Sequence, residues 1–256
     1  MKKIDFQKDM EQIKNSVEII EFEEGVIDAK GIMWANARKM QYGEFEYKIE
    51  EGILTLPGIE DYDYYDKSLE KVVIKEGVTK IGNSSFYGFA QLRSVSFPST
   101  LVELGESCLE STAVSKLQLP DSLISIGAYS FGDCGELIEV IGGKALQIIG
   151  EGAFICCESL ESVMLPDGLT TILDKAFADC SKVQSVRLPS TIVSIGNKAF
   201  SGCSIRSVTI PESVTTIGDE AFNCGELEVA TIINPGRIIN VGCNVFPPHT
   251  KIVRNL

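Results

Sequence analysis

The chain has 256 residues, a net charge of −13 and 44% apolar residues, which together indicate an acidic protein with enough apolar side chains to fold around a core. The acidic excess argues against nucleic acid, because phosphate binding needs clustered Lys and Arg, and against docking on anionic lipid. No apolar run approaches the roughly 20 residues that a membrane-spanning helix needs, so membrane insertion is not expected.

Residues 1–68 are the least regular part of the sequence and are predicted to form an N-terminal cap. The apolar residues from Ile4 to Val17 have helical spacing and predict a short amphipathic helix over residues 4–16. The segment VEIIEFEEGVIDAKG (17–31) echoes LEKVVIKEGVTKIG (69–82) and is interpreted as a degenerate coil or cap strand. The first lysines are followed by charged residues where a signal peptide is apolar, so the sequence indicates no export signal and favours a cytoplasmic location.

Three tyrosines alternate with acidic residues in IEDYDYYDK (59–67), in a predicted loop before the first repeat. Tyrosine is a common anchor in recognition loops, so Tyr62, Tyr64 and Tyr65 are candidate protein-binding residues. The simpler interpretation, which we prefer, is that one or two of them fold back over the first coil.

Eight units of 22 or 23 residues fill the region 69–249. A period of this length is typical of a solenoid, in which each coil buries its apolar side against its neighbours. Alternating aliphatic residues early in each unit predict a strand with one buried face, and a proline closes it in five units. A β-branched segment then predicts a second short strand. It is followed by a glycine that permits a left-handed or crowded corner. The units begin at Leu69, Leu92, Val114, Leu137, Leu160, Val183, Ile205 and Leu227.

Near the end of each unit an aromatic residue follows a small residue at a fixed register. A row of aromatics can be a ligand platform, but this fixed register favours a buried spine along the solenoid axis. The row contains Phe86, Phe131, Phe154, Phe177, Phe200, Phe222 and Phe246, with Leu109 in the second unit.

The cysteines follow the same register, which argues against a disulfide scaffold. Cys134, Cys157, Cys180 and Cys203 each come three residues after the phenylalanine of their unit. Coils stacked about 4.8 Å apart hold such side chains slightly too far apart for disulfide bonds, and a ladder does not converge on one metal ion. We therefore expect buried, reduced thiols and no metal site. Cys156 cannot point inward together with its neighbour Cys157, so it is the expected exposed thiol.

The repeated pattern L-x-x-V-x-I/L-P-x-x-V-x-x-I-G-x-x-A-F-x-x-C resembles the BspA-like leucine-rich repeat family over residues 69–249. The resemblance implies an α/β-type, mostly β, right-handed leucine-rich-repeat superhelix of about eight coils. It also implies a hairpin lead-in within residues 45–82. Residues 250–256 are interpreted separately as a C-terminal capping strand, because the apolar side of the last coil would otherwise face water. Many family members are adhesion or host-interaction proteins, which implies a cell-surface or secreted location. Gly142–Gly143 in place of proline and Leu173 in place of glycine are local departures.

Residues with catalytic potential are sparse. His249 is the single histidine, and no nucleophile at a matching register is placed beside it. The sequence has neither of the glycine-rich phosphate loops. Nothing in the repeat register brings two carboxylates together in an apolar setting, as glycoside hydrolysis would need. The sequence therefore predicts a protein that is not an enzyme and uses no cofactor.

The outward positions of the first strands remain as a candidate binding surface. Most of them are Ser, Thr or Lys, but Ile141 and Met164 are apolar and occupy adjacent coils, near Arg187 and Glu139. Exposed apolar residues beside an arginine are typical of interface hot spots, although single exposed apolar residues are normal on any protein. The hypothesis is a protein partner on this sheet. The alternative is an intracellular structural scaffold that presents its N-terminal segment. A carbohydrate-binding module would need exposed stacking aromatics, which we do not find.

Overall fold

The computed structural model describes residues 70–74, 76–233 and 240–255 in full and, before residue 70, the backbone of four short strands. The strands, in chain order, are β1 (Gly25–Ile27), β2 (Met33–Trp34), β3 (Lys48–Glu50), β4 (Ile53–Thr55), β5 (Lys71–Ile74), β6 (Lys80–Ile81), β7 (Ser94–Ser96), β8 (Glu103–Leu104), β9 (Lys116–Leu119), β10 (Ser125–Ile126), β11 (Glu139–Gly142), β12 (Ile148–Ile149), β13 (Ser162–Val163), β14 (Thr171–Ile172), β15 (Ser194–Ile195), β16 (Ser207–Ile210), β17 (Thr216–Ile217), β18 (Val229–Ile233), β19 (Asn240–Val241) and β20 (Lys251–Asn255).

The short second strands of the coils stack into one continuous sheet. It has ten strands in the order β19-β17-β15-β14-β12-β10-β8-β6-β4-β3, and all its pairs are parallel except the β3–β4 hairpin. Each coil repeats the register of the one before, as in the pairing of Ile126 with Ile149 and of Ile149 with Ile172. The predicted solenoid of about eight coils of roughly 23 residues is therefore confirmed. The described residues contain no helix, and the helix predicted over residues 4–16 lies outside them.

The first strands were expected to form one parallel sheet, but they form three separate pieces, β2-β1-β5-β7, β9-β11-β13 and β16-β18-β20. Both interruptions adjoin a unit that is one residue short. Thr112 precedes Val114, and Cys203 precedes Ile205, by two residues, whereas Cys134 precedes Leu137 by three. Unit length alone does not explain the gaps, because the second one also includes coil six, where residues 183–188 form no strand. The 22-residue unit from Ile205 to Leu227, in contrast, leaves β16 and β18 paired.

The phenylalanine row forms the predicted spine in the core. From Phe131 to Phe222, consecutive rings stack with centroids 5.1–5.3 Å apart and planes within 11° of parallel. All of these rings are at most 1% exposed. Phe246 ends the stack at 5.8 Å from Phe222. The aromatic row is therefore a structural core and not a ligand platform.

The corner glycines are required by close approach between coils. A Cβ built on Gly218 would lie 2.4 Å from the backbone nitrogen of Asn197, and one on Gly196 would lie 2.4 Å from that of Asp174. Neither glycine has a positive φ, so crowding and not a left-handed backbone excludes a side chain there. Leu173 occupies the position of the corner glycine in coil five, and its side chain is 41% exposed to solvent.

In the turn segments that contain the phenylalanines, N–H groups of one coil donate hydrogen bonds to carbonyl groups of the following coil. Phe154 N–H donates to Ala176 O at 2.8 Å, and Phe222 N–H donates to Val245 O at 2.9 Å, so each coil donates to the next one. The strands donate in the opposite sense, as Gly105 N–H does to Ile81 O at 2.8 Å. The two ends of the solenoid therefore present different backbone groups.

Toward the N-terminal end, the outermost strands that the structure describes, β2 and β3, are each antiparallel to their neighbour. β1 pairs in parallel with β5 and antiparallel with β2, while β3 pairs antiparallel with β4, which lies parallel to β6. The β3–β4 hairpin lies where the sequence resemblance implies a hairpin lead-in.

Candidate protein-binding surface

The outward face of the first strands is polar on most coils. β9 and β16 both alternate between exposed and buried residues, so that Lys116 and Gln118 of one strand and Ser207 and Thr209 of the other point to solvent. These residues form a hydrated sheet surface with no feature that selects a partner.

Coils four and five differ from this pattern. Met164 is 65% exposed, and Ile138, directly before β11, is 41% exposed. Ile141 is half-buried on the outward side of β11. The pairing of Val140 with Val163 places Ile141 and Met164 side by side on neighbouring coils. We call Ile141 and Met164 the apolar patch, because no strand pairing places Ile138 beside either of them.

Sequence reasoning did not select Ile138, although the repeat carried a signal for it. The residue after the opening aliphatic is polar in the other units, as in Arg93, Ser115, Glu161 and Arg206, and Ile138 departs from that rule. Comparing each register position across all the units, and not only the strand positions, would have found it.

Charged groups border the apolar patch. Lys116 Nζ lies 3.5 Å from Glu139 Oε2 across β9 and β11, and the Lys116 side chain is 70% exposed. Arg187 is exposed at the equivalent position of coil six, but residues 183–188 form no strand, so no ladder pairing aligns Arg187 with Met164. The structure therefore brings Ile141, Met164 and Glu139 together and leaves Arg187 on a separate segment.

The tyrosines proposed as an alternative recognition loop, Tyr62, Tyr64 and Tyr65, lie outside the described residues.

The ten-stranded sheet also exposes apolar side chains. Val241 of its edge strand β19 is 63% exposed, and the others are less exposed. Val102, Ile124, Ile148 and Val193 are between 37% and 41% exposed. Side chains exposed to this extent are ordinary on a protein surface. Met164 offers a larger exposed apolar side chain, which favours the first-strand face as the binding surface.

The cysteine ladder is buried and reduced, as predicted. The Cys180 thiol donates to Phe154 O at 3.0 Å, and the Cys203 thiol donates to Phe177 O at 3.2 Å, so each thiol bonds to the carbonyl of the preceding phenylalanine in the row. The described cysteines are all free. One expectation was wrong: the exposed thiol is Cys243, while Cys156 is only partly exposed. The repeat register predicted that the cysteines of the ladder face inward. It gave no prediction for Cys243, which directly follows the corner glycine Gly242.

Burial makes these thiols chemically inert. It raises the pKa of Cys108 and of Cys224 to about 12, so both are protonated at neutral pH. The thiolate is the form that attacks electrophiles and binds metals, so neither residue is suited to catalysis or to metal binding.

The remaining candidates for chemistry are isolated. His249 is exposed. Among the described residues, no three His, Cys, Asp or Glu side chains cluster as metal ligands would. The described part of the chain also contains no helix with the length and apolar character of a membrane span.

Comparisons with known proteins agree with this architecture. The family model for the BspA type leucine rich repeat region, in six copies, matches residues 58–180 and 147–253. No curated protein matches the sequence.

Several solved structures are similar in fold. A leucine-rich repeat protein from Bacteroides ovatus is 19% identical, with a TM-score of 0.63, and the match covers 85% of this chain and 71% of that one. A leucine rich cell surface protein from Faecalibacterium prausnitzii is 22% identical, with a TM-score of 0.51, over 76% of this chain and 62% of that one. The T. pallidum leucine rich repeat protein is 22% identical, with a TM-score of 0.54, over 81% and 88% of the two chains.

Proteins of this repeat class are in general protein-interaction scaffolds and are typically non-enzymatic. Since the family model covers more than half of the sequence and the structure has the coils that the model describes, the chain belongs to the BspA-type leucine-rich repeat family.

Proposed function

We propose that this chain is a non-catalytic protein-binding repeat protein that recognises its partner through the apolar patch on coils four and five. The observation that carries the proposal is the 65% exposure of Met164, beside Ile141 on a sheet face that is polar on most coils. Full burial of two exposed apolar side chains would contribute roughly 3–6 kcal/mol, at about 1.5–3 kcal/mol each.

The charged border of the apolar patch would give the interface its specificity. The Lys116 side chain is 70% exposed and that of Glu139 is 34% exposed. Such a pair contributes little to stability on its own, so both groups are available to a partner. Arg187 adds a cation that can bind a partner carboxylate through two hydrogen bonds. An apolar centre with a polar rim is the usual anatomy of a protein interface.

The finer proposal is a role in adhesion or host interaction. The F. prausnitzii protein of similar fold is described as a cell surface protein, and this makes surface proteins of a host or neighbouring cell the first class of partner to test. The alternative of an intracellular scaffold has no comparable observation in its favour, since the N-terminal segment on which it depends lies outside the described side chains.

Site-specific photo-cross-linking tests the proposal. A benzoylphenylalanine replaces Met164 in one variant and Ile148, on the ten-stranded sheet, in the matched control. Each variant is irradiated with host-cell surface extract and with cytosolic extract. We expect a discrete cross-linked protein from position 164 in the surface extract and none from position 148. Cross-linking only from position 148, or equally from both, would contradict the assignment to the apolar patch. A product found only with cytosol would support the scaffold alternative.

A further inference from the structure

The C-terminal end of the solenoid is built differently from the N-terminal end. There the outermost described strands are β19, in the ten-stranded sheet, and β20, in the last piece of the first-strand sheet. Each pairs in parallel with the preceding coil, β19 with β17 and β20 with β18. Within the described residues no strand lies beyond β20 or β19. Among these residues the outer edges of β20 and β19 carry unpaired backbone groups, of the kind to which a strand can add.

An apolar cavity of about 460 Å³ lies between these two edges. Its lining includes Val241, Phe246, Ile252 and Arg254. One face of the Phe246 ring stacks on Phe222, so the cavity continues the line of the aromatic spine. Val241 is 63% exposed and Ile252 is 40% exposed, which leaves apolar surface of the core row open to solvent.

The strand β20 carries a charge at a position that is apolar in the coil before it. Its register pairs Ile252 with Ala230 and Arg254 with Ile232, and both of those partners are buried. Residues paired in register project from the same face of a sheet, so Arg254 projects toward the core side and lines the cavity. Any strand added to β20 would cover this guanidinium.

That arginine makes the edge selective. Burying a cation without a partner is costly, so a purely apolar strand is disfavoured. A strand with a carboxylate at the matching position would pair with the guanidinium through charge-assisted hydrogen bonds. An inward charge on an edge strand is also a known device against indiscriminate pairing.

The turn segment adds backbone donors at the same end. In the preceding coil, Glu220 N–H and Phe222 N–H donate to backbone carbonyls of the last described coil, at 2.9 Å each. The equivalent residues of the last coil are Asn244 and Phe246. Within the described residues no following coil accepts from their N–H groups. Such donors favour an anionic or carbonyl-bearing ligand.

The charge distribution of the sequence points to the same ligand chemistry. All 36 acidic residues precede residue 229, whereas residues 229–256 include three Lys or Arg and no Asp or Glu. The last coil is thus the basic pole of an acidic chain. Its charge complements an acidic partner and disfavours contact between the C-terminal ends of two copies.

We propose that the C-terminal end binds an extended, acidic peptide segment of a partner protein as an additional strand on β20. An apolar side chain of the segment packs against Phe246 and Ile252, and a carboxylate pairs with Arg254. This mode of recognition takes affinity from the strand edge and specificity from the side-chain pocket. The surface is separate from the apolar patch on coils four and five, so the two can be tested independently.

The test uses the full chain and a fluorescent peptide with the sequence of residues 207–222, SVTIPESVTTIGDEAF, which carries both strands of coil seven. In one version Ile210 is replaced by Glu, to match Arg254, and in the other it is replaced by Lys. Fluorescence polarisation should show the Glu peptide binding at least about tenfold more tightly, as expected for a charge-assisted pair. The Arg254→Glu variant should lose or reverse this preference.

The Arg93→Glu variant is the matched control, because Arg93 is an exposed arginine on coil two, and it should keep the preference. Thermal unfolding of each variant separates loss of binding from loss of folding. Equal affinity for the two peptides, or no binding of either, would overturn the proposal. Sedimentation of the chain alone provides a further check. Self-association that Arg254→Glu abolishes would assign this end to a second copy and would likewise overturn the peptide proposal.

Discussion

The two strand faces of this solenoid are built from the same repeat, but one is continuous and the other is interrupted. The ten-stranded sheet is continuous over the coils, and its register agrees with the stacked phenylalanines and the corner glycines. The first strands are broken into three pieces, and they carry the apolar patch. Positions at which the repeat is strict stabilise the fold, while positions at which it varies are free to bind a partner. Substitutions at strict and at variable positions of the repeat should therefore differ in their effect on stability.

Removal of one spine ring should give the largest loss. Phe177→Ala removes a buried ring that stacks on Phe154 and Phe200 at 5.1 and 5.2 Å, and the free energy of unfolding should fall by about 3–5 kcal/mol. Chemical denaturation measures this change. An unchanged denaturation midpoint would mean that the aromatic row does not stabilise the core.

A methyl group at a corner glycine should give an intermediate loss. In Gly218→Ala the new Cβ would lie 2.4 Å from Asn197 N, so neighbouring coils must separate, at a cost of about 1–3 kcal/mol. Gly135→Ala is the control, because nothing lies within 4 Å of its added Cβ. Equal stability of the two variants in chemical denaturation would refute the close-approach explanation.

The spine and the thiol ladder could be predicted from sequence because a fixed register determines which side chains face inward. The interruptions of the first-strand sheet could not, since coil six matches the repeat in sequence and yet forms no strand over residues 183–188. The outward direction of Ile141 and Met164, which form the apolar patch, followed from strand alternation, whereas the exposed Ile138 lies before the strand and was not selected. The sequence predicts a capping strand over residues 250–256, and β20 lies there, but the sequence does not reveal that no described strand pairs with its outer edge.

Thiol reactivity should separate the interior from the surface without affecting stability. At pH 8 a thiol reagent should label Cys243 rapidly and Cys156 more slowly, and it should leave Cys108 and Cys224 unlabelled because burial raises the pKa of both to about 12. Denaturant should expose all eight cysteines. Mass spectrometry of the labelled peptides provides the measurement. Rapid labelling of Cys108, or a disulfide between Cys157 and Cys180 in the native protein, would show that the ladder is not a closed, reduced interior.

Changes to the apolar patch should have the smallest effect on folding. The double variant Ile141→Ser with Met164→Ser alters one exposed and one half-buried side chain, and exposed substitutions usually change stability by about 0.5 kcal/mol or less. Its thermal melting temperature should stay close to that of the wild type. A loss comparable to that of Phe177→Ala would assign the apolar patch to the core.

The most direct measurement of the central claim is the affinity for the partner identified by cross-linking. Calorimetric titration compares the wild type with the double variant Ile141→Ser, Met164→Ser and with a matched control, Ile124→Ser with Ile148→Ser on the ten-stranded sheet. Loss of about 3 kcal/mol or more of apolar contact predicts a Kd at least about 100-fold higher for the first variant, whereas the control should bind as the wild type does. Equal affinities of the wild type and the first variant, or a loss confined to the control, would contradict the assignment of binding to coils four and five.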